Sequence, residues 1–265
     1  MAIWQIMFTG SGTLVAQKRD TGRRQAFFFA VDPHSGKLLT DGFQPLLSDE
    51  TGPAGEGWFT GLESTSDHLA YCHSYMQNSP EHLGIWAYDP EEGRVAWTRP
   101  DVVFSANLGS DLLVYRSTVF AGFPERSFML LDALTGRTVR ELGEDNPETA
   151  SLRLNAVPEE DRQQVRLPLM TSAAGLPHEL AGISLPETAL LEYIPSGKSV
   201  VLAVHEPRGH SGTWISSIKV FRNGFLYEDT MQSDAEAPAL NNFLIRGDKL
   251  YYIKGKEELV PVALP

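Results

Sequence analysis

Leu131-Asp132-Ala133-Leu134-Thr135-Gly136-Arg137 is the stretch that decides the fold. An apolar run enters Asp, three residues follow, and Gly with a cation leads into the next apolar run. The phrase returns as Val31-Asp32-Pro33-His34-Ser35-Gly36-Lys37 and as Tyr88-Asp89-Pro90-Glu91-Glu92-Gly93-Arg94. An Asp carboxylate in that place accepts from backbone N–H groups two or three residues on. Gly then supplies the positive φ that re-enters a strand. A hairpin of one type, repeated, marks a repeat architecture.

A second hairpin precedes each of these. It reads Gly10-Ser11-Gly12 before Leu14, Ser66-Asp67-His68 before Leu69, and Gly109-Ser110-Asp111 before Leu112. It recurs as Ser196-Gly197-Lys198 before Val200 and Arg246-Gly247-Asp248 before Leu250. The gap from Leu112 to Val200 is about twice that from Leu69 to Leu112, which predicts a further module near 152–169. There Leu152–Val157 and Gln164–Leu169 would pair across Pro158–Asp161. Helical periodicity is scarce, and short alternating apolar runs are bounded by Gly, Ser, Asp and Pro. The expectation is an all-β protein, a β-propeller of five to six irregular four-stranded antiparallel blades, in one domain over 1–265. The blades fall at 3–43, 58–98, 102–142, 152–185, 189–230 and a partial 243–263. The last lacks a strand, so closure uses five blades and an extra element, or six with a strand borrowed from the N-terminus.

The Asp-x-x-x-Gly-Lys/Arg hairpins resemble the quinoprotein-type (PQQ-like) propeller repeat, in which a Trp follows on the outer strand. Arg94-Val95-Ala96-Trp97 carries that Trp, and the other copies lack it. The resemblance implies the propeller fold. The quinone cofactor of such enzymes sits near vicinal cysteines and acidic metal ligands, and this chain has one cysteine. No cofactor is therefore carried over. The whole chain also resembles an uncharacterised bacterial family of unknown function, which implies no activity.

The chain has 265 residues and a formal net charge of −12, a balance that repels phosphate backbones and argues against nucleic acid as a partner. Cys72 stands alone, so no internal disulfide and no Cys-x-x-Cys zinc site can form. Met1–Phe8 lacks a basic segment and a cleavage site and reads as a strand. No apolar run reaches the ~20 residues of a membrane helix, so no membrane partner is expected and the default compartment is the cytoplasm.

Propeller order places the B-to-C and D-to-A connections on one face. Those are long, at 74–83, 117–125 and 206–213 and at 44–57, 143–151 and 231–242. Long loops on a rigid scaffold are where binding concentrates. The B strands end there in polar residues: Arg19 and Asp20, His73, Arg116, and His205 with Glu206. These six are the candidate ligand-binding residues. Arg grips a carboxylate or phosphate with two parallel hydrogen bonds, and His titrates near neutral pH. Polar strand ends at a solvent face are also ordinary.

Of the seven histidines, His205 and His210 with Glu206, joined by His73, form the one metal set that can be written. Such a cluster is more often a solvated loop, and no metal is assigned. Cys72 and His73 are neighbours on a strand, point to opposite faces, and make a poor dyad. Cys72 reads as core filling. No nucleophile elbow, phosphate loop or dinucleotide fingerprint is present. Two functions fit. One is a non-enzymatic binding module for an unknown small molecule or protein. The alternative is a hydrolase or lyase acting on a small anionic substrate, with His73 or His205 as base and Arg19 and Arg116 holding the anion.

Overall fold

Each repeated Asp caps its own turn. Asp132 Oδ1 accepts from the Thr135 N–H at 2.8 Å and from its hydroxyl at 2.7 Å. Asp89 Oδ1 accepts from the N–H groups of Glu91 and Glu92 at 3.1 and 3.0 Å. Asp32 accepts from His34 N–H at 2.9 Å and from the Ser35 hydroxyl at 2.5 Å. Gly36, Gly93 and Gly136 then donate back to the three Asp carbonyls at 2.8–2.9 Å. Their φ values lie between +67° and +71°, where an L side chain is strained.

The computed structural model of the chain describes residues 1–47, 51–76, 79–120, 123–144, 146–177, 180, 183, 185–209 and 212–265. The chain divides into two compact units, Met1–Gln163 and Gln164–Pro265. The first unit holds three antiparallel sheets whose strands follow chain order. The first is β1 (Ala2–Phe8), β2 (Leu14–Asp20), β3 (Gln25–Val31) and β4 (Leu38–Phe43). The second is β5 (Thr60–Ser66), β6 (Leu69–Tyr75), β7 (His82–Asp89) and β8 (Arg94–Arg99). The third is β9 (Val103–Asn107), β10 (Asp111–Phe120), β11 (Phe123–Asp132) and β12 (Thr138–Gly143). Phe28, Leu62, Cys72, Trp86 and Tyr88 form one buried cluster, and Leu69, Tyr71, Ile85, Leu112, Val114, Met129 and Leu131 form the next. Cys72 is core filling, as its place on an alternating strand implies, and burial pushes its thiol far above the ordinary range.

The hairpin glycines are where one sheet receives the preceding one. A Cβ on Gly93 would lie 2.9 Å from Thr40 of β4, and a Cβ on Gly136 would lie 2.5 Å from the Trp97 indole of β8. Thr40 and Trp97 stand four residues after Gly36 and Gly93, so they are the same position in successive copies. Thr40 Oγ1 hydrogen-bonds the Tyr88 hydroxyl and donates to Pro90 O, and Trp97 Nε1 donates to Ala133 O at 3.2 Å. Tyr71 donates to the same Ala133 carbonyl at 2.8 Å.

The module expected at 152–169 is not a hairpin. Pro147–Leu154 is a helix, α1, and Glu159–Gln163 a second, α2. Asn146 caps α1 by accepting from Glu148 and Thr149 N–H, Thr149 Oγ1 answers the Asn146 N–H, and Pro147 fills the first turn. That cap and proline set the helix before the apolar residues beyond them can alternate as a strand. The α2 helix is tied to the inner strands. Glu159 accepts from the Ser64 hydroxyl at 2.7 Å and Thr65 N–H at 3.0 Å, and Gln163 Oε1 from Phe8 N–H at 2.8 Å.

In the second unit, β13 (Val165–Arg166) pairs with β19 (Phe243–Arg246), which continues to β20 (Lys249–Lys254) and β21 (Glu258–Ala263). The strand that completes this sheet therefore comes from mid-chain, not from the N-terminus. The other sheet has five strands: β14 (Leu169–Thr171), β15 (Leu190–Ser196), β16 (Ser199–Arg208), β17 (Thr213–Phe221) and β18 (Phe225–Ala235). Ile194, Val201, Ile218 and Val220 are buried with Phe243, Ile245, Leu250 and Tyr252. Two expected loops are shorter than read, because the flanking strands extend into them. The β10–β11 ladder runs to Phe120 opposite Phe123, and the β16–β17 ladder to Arg208 opposite Thr213. Among the described residues no helix is long and apolar enough to cross a membrane.

The hairpin caps and glycines carry measurable stability. Asp89→Ala, which removes a buried cap, is expected to cost about 0.5–2 kcal/mol. Gly136→Ala, which meets Trp97 at strained φ, is expected to cost roughly 1–3 kcal/mol. Urea unfolding measures both, and unchanged midpoints would remove these hairpins from the list of structural supports.

Candidate functional site

Arg19 is the last basic residue of β2, and an irregular first strand decides what it touches. The β1–β2 register shifts between Ile3 and Gln5, which leaves Trp4 as an extra residue. Such a bulge re-aims its side chain. The Arg19 guanidinium lies 4.7 Å from the Trp4 ring and 5.0 Å from the Trp58 ring. Nε donates to Gln17 Oε1 at 3.1 Å and Nη2 to Thr60 O at 3.0 Å. No carboxylate pairs with it among the described residues. Burial lowers its pKa, against a smaller opposing influence of Tyr75.

This guanidinium stands at the wall of a cavity of about 990 Å³ inside the first unit. The segment between β4 and β5 supplies Leu47, Pro53, Trp58 and Phe59, and the β6–β7 hairpin supplies Tyr75 and Leu83 from its strands and Met76 and Pro80 from its connection. A tight turn at Ala54–Gly57 brings the first segment in, closed by Trp58 and Phe59 N–H bonds to Gly55 O. The Trp86 indole is fixed at the wall by donating to Leu46 O at 2.8 Å. The lining is aromatic and apolar, with Arg19, Ser74, Ser79 and Glu56 as its polar members. An apolar cavity with a few placed polar groups suits a small ligand.

Behind Tyr75 lies a cluster of Glu63, His73 and His82. The β5–β6 register shifts between Leu62 and Ser64, leaving Glu63 extra, and the β6–β7 register shifts at His73. His73 and Tyr75 alternate onto one face of β6, and His82 stands opposite Tyr75. The two imidazoles are stacked at 3.5 Å and 9°. Glu63 Oε2 lies 2.5 Å from His82 Nδ1 and 2.9 Å from His73 Nδ1. Gly61 makes room, because a Cβ there would meet the His73 ring at 2.7 Å. Burial pushes the Glu63 carboxyl up, but the two imidazoles outweigh it and hold it down at about 2. Burial lowers the His73 imidazole more than Glu63 raises it.

The other expected residues are placed differently. Asp20 caps the β2–β3 turn by accepting from Arg23 N–H at 3.0 Å. Arg116 donates to Asp101 Oδ2 at 2.8 Å, while Arg99 grips the same carboxylate through Nε and Nη2. Hydrogen bonds from Arg99 and then Arg116 hold that carboxyl well below the usual range. His205, expected at an open strand end, is fully enclosed in the second unit. Its Nδ1 lies 2.8 Å from Ser216 Oγ and its Nε2 3.1 Å from Glu192 Oε2. Ser216 accepts from Ala239 N–H, and Glu192 from Asn241 N–H, each at 3.1 Å. With the imidazole proton on Nε2, every donor in this set meets an acceptor. The residue types match a hydrolytic triad, but a serine and imidazole that solvent cannot reach serve as a structural tie. Glu206 is half-buried on β16 opposite Ile215. His210, the third member of the written metal set, and His178 lie outside the described residues.

Sequence reading misses Trp4 and Glu63, takes Trp58 as packing between blades, and leaves His82 without a role. The signal for Glu63 is weak, since only its i, i+2 spacing from Gly61 places it on His73's face, and the bulge is not written in residue types.

Residues 8–97 match a family described as a domain of unknown function, DUF4905. No curated protein matches the chain. Among solved structures, an acylaminoacyl peptidase of Pyrococcus horikoshii is 8% identical, with 99% of this chain and 38% of that one covered and a TM-score of 0.30. The chain thus spans under two fifths of that relative's length. The Dos1 propeller is 10% identical over 98% and 66% of the two chains, with a TM-score of 0.34. The β-propeller domain of the Trilobed protease from Pyrococcus furiosus is 9% identical over 98% and 70%, with a TM-score of 0.29. At these scores the likeness carries no argument about function.

The enclosed Glu192–His205–Ser216 set yields a stability test. His205→Ala leaves the fully buried Glu192 carboxyl and Ser216 hydroxyl without the imidazole, and a loss of roughly 1–3 kcal/mol is expected in urea unfolding. A loss below about 1 kcal/mol would show that the network is not a structural tie.

Proposed function

We propose that the sheets are the blades of a single β-propeller over 1–265, and that the protein is a non-enzymatic binding module. Its ligand is a small molecule with a flat apolar body and one anionic group, held in the cavity of the first unit. The propeller reading is supported by the repeated hairpin and by four-stranded meanders in chain order. It is also supported by the outer-strand residue of one sheet resting on the next hairpin glycine. The binding face is the one formed by B-strand ends with the B–C and D–A connections. In the first two sheets those are the segments that line the cavity.

The observation that carries the ligand class is Arg19. It is a half-buried cation with no carboxylate partner among the described residues, within 5.0 Å of two indole rings at the wall of an aromatic cavity. A guanidinium in that state has lost water and keeps donor capacity for an incoming oxyanion. The aromatic walls take the ligand body by burial, worth about 25 cal/mol per Å² of apolar surface. Arg116 does not share the task, because Asp101 already occupies it.

The test uses two fluorescent probes that differ by one charge, 8-anilinonaphthalene-1-sulfonate and neutral N-phenyl-1-naphthylamine. The native protein is expected to favour the sulfonate. Arg19→Gln is expected to weaken the sulfonate about 10- to 100-fold, the 1.5–3 kcal/mol of a charged hydrogen bond, and to leave the neutral probe nearly unchanged. Equal sulfonate affinity in native protein and variant would overturn the site and the ligand class.

A further inference from the structure

We propose that Glu63, His73 and His82 form a site for one divalent transition-metal ion of the zinc, cobalt or nickel class. One ligand atom from each residue lies within 4.8 Å of the others. Two imidazole nitrogens and a carboxylate oxygen are a donor set suited to such ions, and three protein ligands leave room for water or an exogenous ligand.

The state of His73 points to the ion. Its side chain is 4% exposed. Its Nδ1 is 2.9 Å from Glu63 Oε2 but off the hydrogen-bond direction, and among the described residues neither ring nitrogen has a well-directed hydrogen-bond partner. A buried imidazole without a partner is costly. A nitrogen and a carboxylate oxygen held that close, off the hydrogen-bond direction, are explained by a cation between them. The backbone is built for the convergence. The register shifts at Glu63 and at His73 turn both side chains to one side, and Gly61 leaves the gap that the His73 ring fills. Tyr75 closes the site edge-on, with its ring 5.2 Å from His73 and 4.9 Å from His82. Access comes past His82, which is 33% exposed, and Glu63, at 15%.

Binding requires one small rearrangement. Two ligand atoms each ~2.1 Å from a tetrahedral ion lie roughly 3.4 Å apart. Glu63 Oε2 must therefore retreat from His82 Nδ1, now at 2.5 Å, and the stacked rings must tilt apart. Side-chain rotation of the partly exposed Glu63 and His82 supplies this without moving the strands.

The experiment titrates chelator-treated full-length protein with Co²⁺ and follows visible absorption, with Zn²⁺ by calorimetry in parallel. The expected result is one ion per chain, imidazole-type cobalt bands, and a rise in melting temperature with Zn²⁺. His82→Ala and Glu63→Gln are each expected to weaken Zn²⁺ at least ~100-fold and abolish the cobalt bands. His68→Ala, a surface histidine elsewhere on the same sheet, is the control and is expected to bind as the native chain does. Both ligand variants alter groups that solvent reaches, and their circular dichroism confirms folding before titration. Absence of cobalt bands in the native protein would overturn the site. So would Zn²⁺ affinity unchanged in both ligand variants, or lost equally in the His68 control.

Discussion

The missing side chain at the hairpin glycines is the constraint on which the first unit depends. Gly93 and Gly136 need a positive φ to close their turns, and they also need to have no Cβ. The bare backbone is where Thr40 and Trp97 of the preceding sheets come to rest. One residue thus serves the local turn and the contact between neighbouring sheets. The Asp at the start of each hairpin fixes the turn so that the glycine is presented at the right place. Arg140 occupies the same position after Gly136. There it forms a two-pronged pair with Glu148 of α1, at 2.8 and 3.0 Å. The repeat ends at this point in the unit, and a helix takes the place of the next hairpin.

Regular stacking creates the scaffold, and irregular register brings the candidate site residues together. The first strand of every sheet in the unit carries one extra residue against its partner: Trp4, Glu63 and Ser105. Two of the three are functional candidates. Trp4 lies against Arg19, and Glu63 reaches the Nδ1 atoms of both His73 and His82. A strict two-residue alternation cannot deliver such convergence, because it sends successive side chains to opposite faces. The bulge breaks the alternation at one residue while the flanking ladder holds the backbone rigid. That rigidity keeps a guanidinium against two indoles with no carboxylate partner among the described residues.

What the sequence shows and what it hides follow from this division. The Asp-to-Gly hairpins were legible because their chemistry is local: Asp132 bonds residue 135, and Gly136 returns to Asp132. Arg19 was legible as a strand-end cation. His205 was misplaced because strand length is not local. The β16–β17 ladder continues past it to Arg208, so the residue read as a strand end is mid-strand and enclosed. The helix α1 carried its signal openly in Asn146-Pro147-Glu148-Thr149, but the expectation of another repeat overrode it. Glu63 was hidden because a bulge depends on how two strands pair, and one strand's residue types do not record it.

Charge sets the last requirement on a ligand. The chain carries −12, so a bare small anion approaching from a distance meets repulsion. Within the cavity the balance reverses, since exposed charges beyond about 8 Å are screened at physiological salt while the half-buried guanidinium is not. Glu56 at the rim adds a further local negative charge. An anionic group must therefore be carried in by something the cavity attracts for another reason. Trp58, Phe59, Tyr75 and Trp86 supply that reason for a flat apolar body. For the ligand proposed above, affinity would come from the body and selectivity from the anion, a division of labour that asks for one arginine and not two.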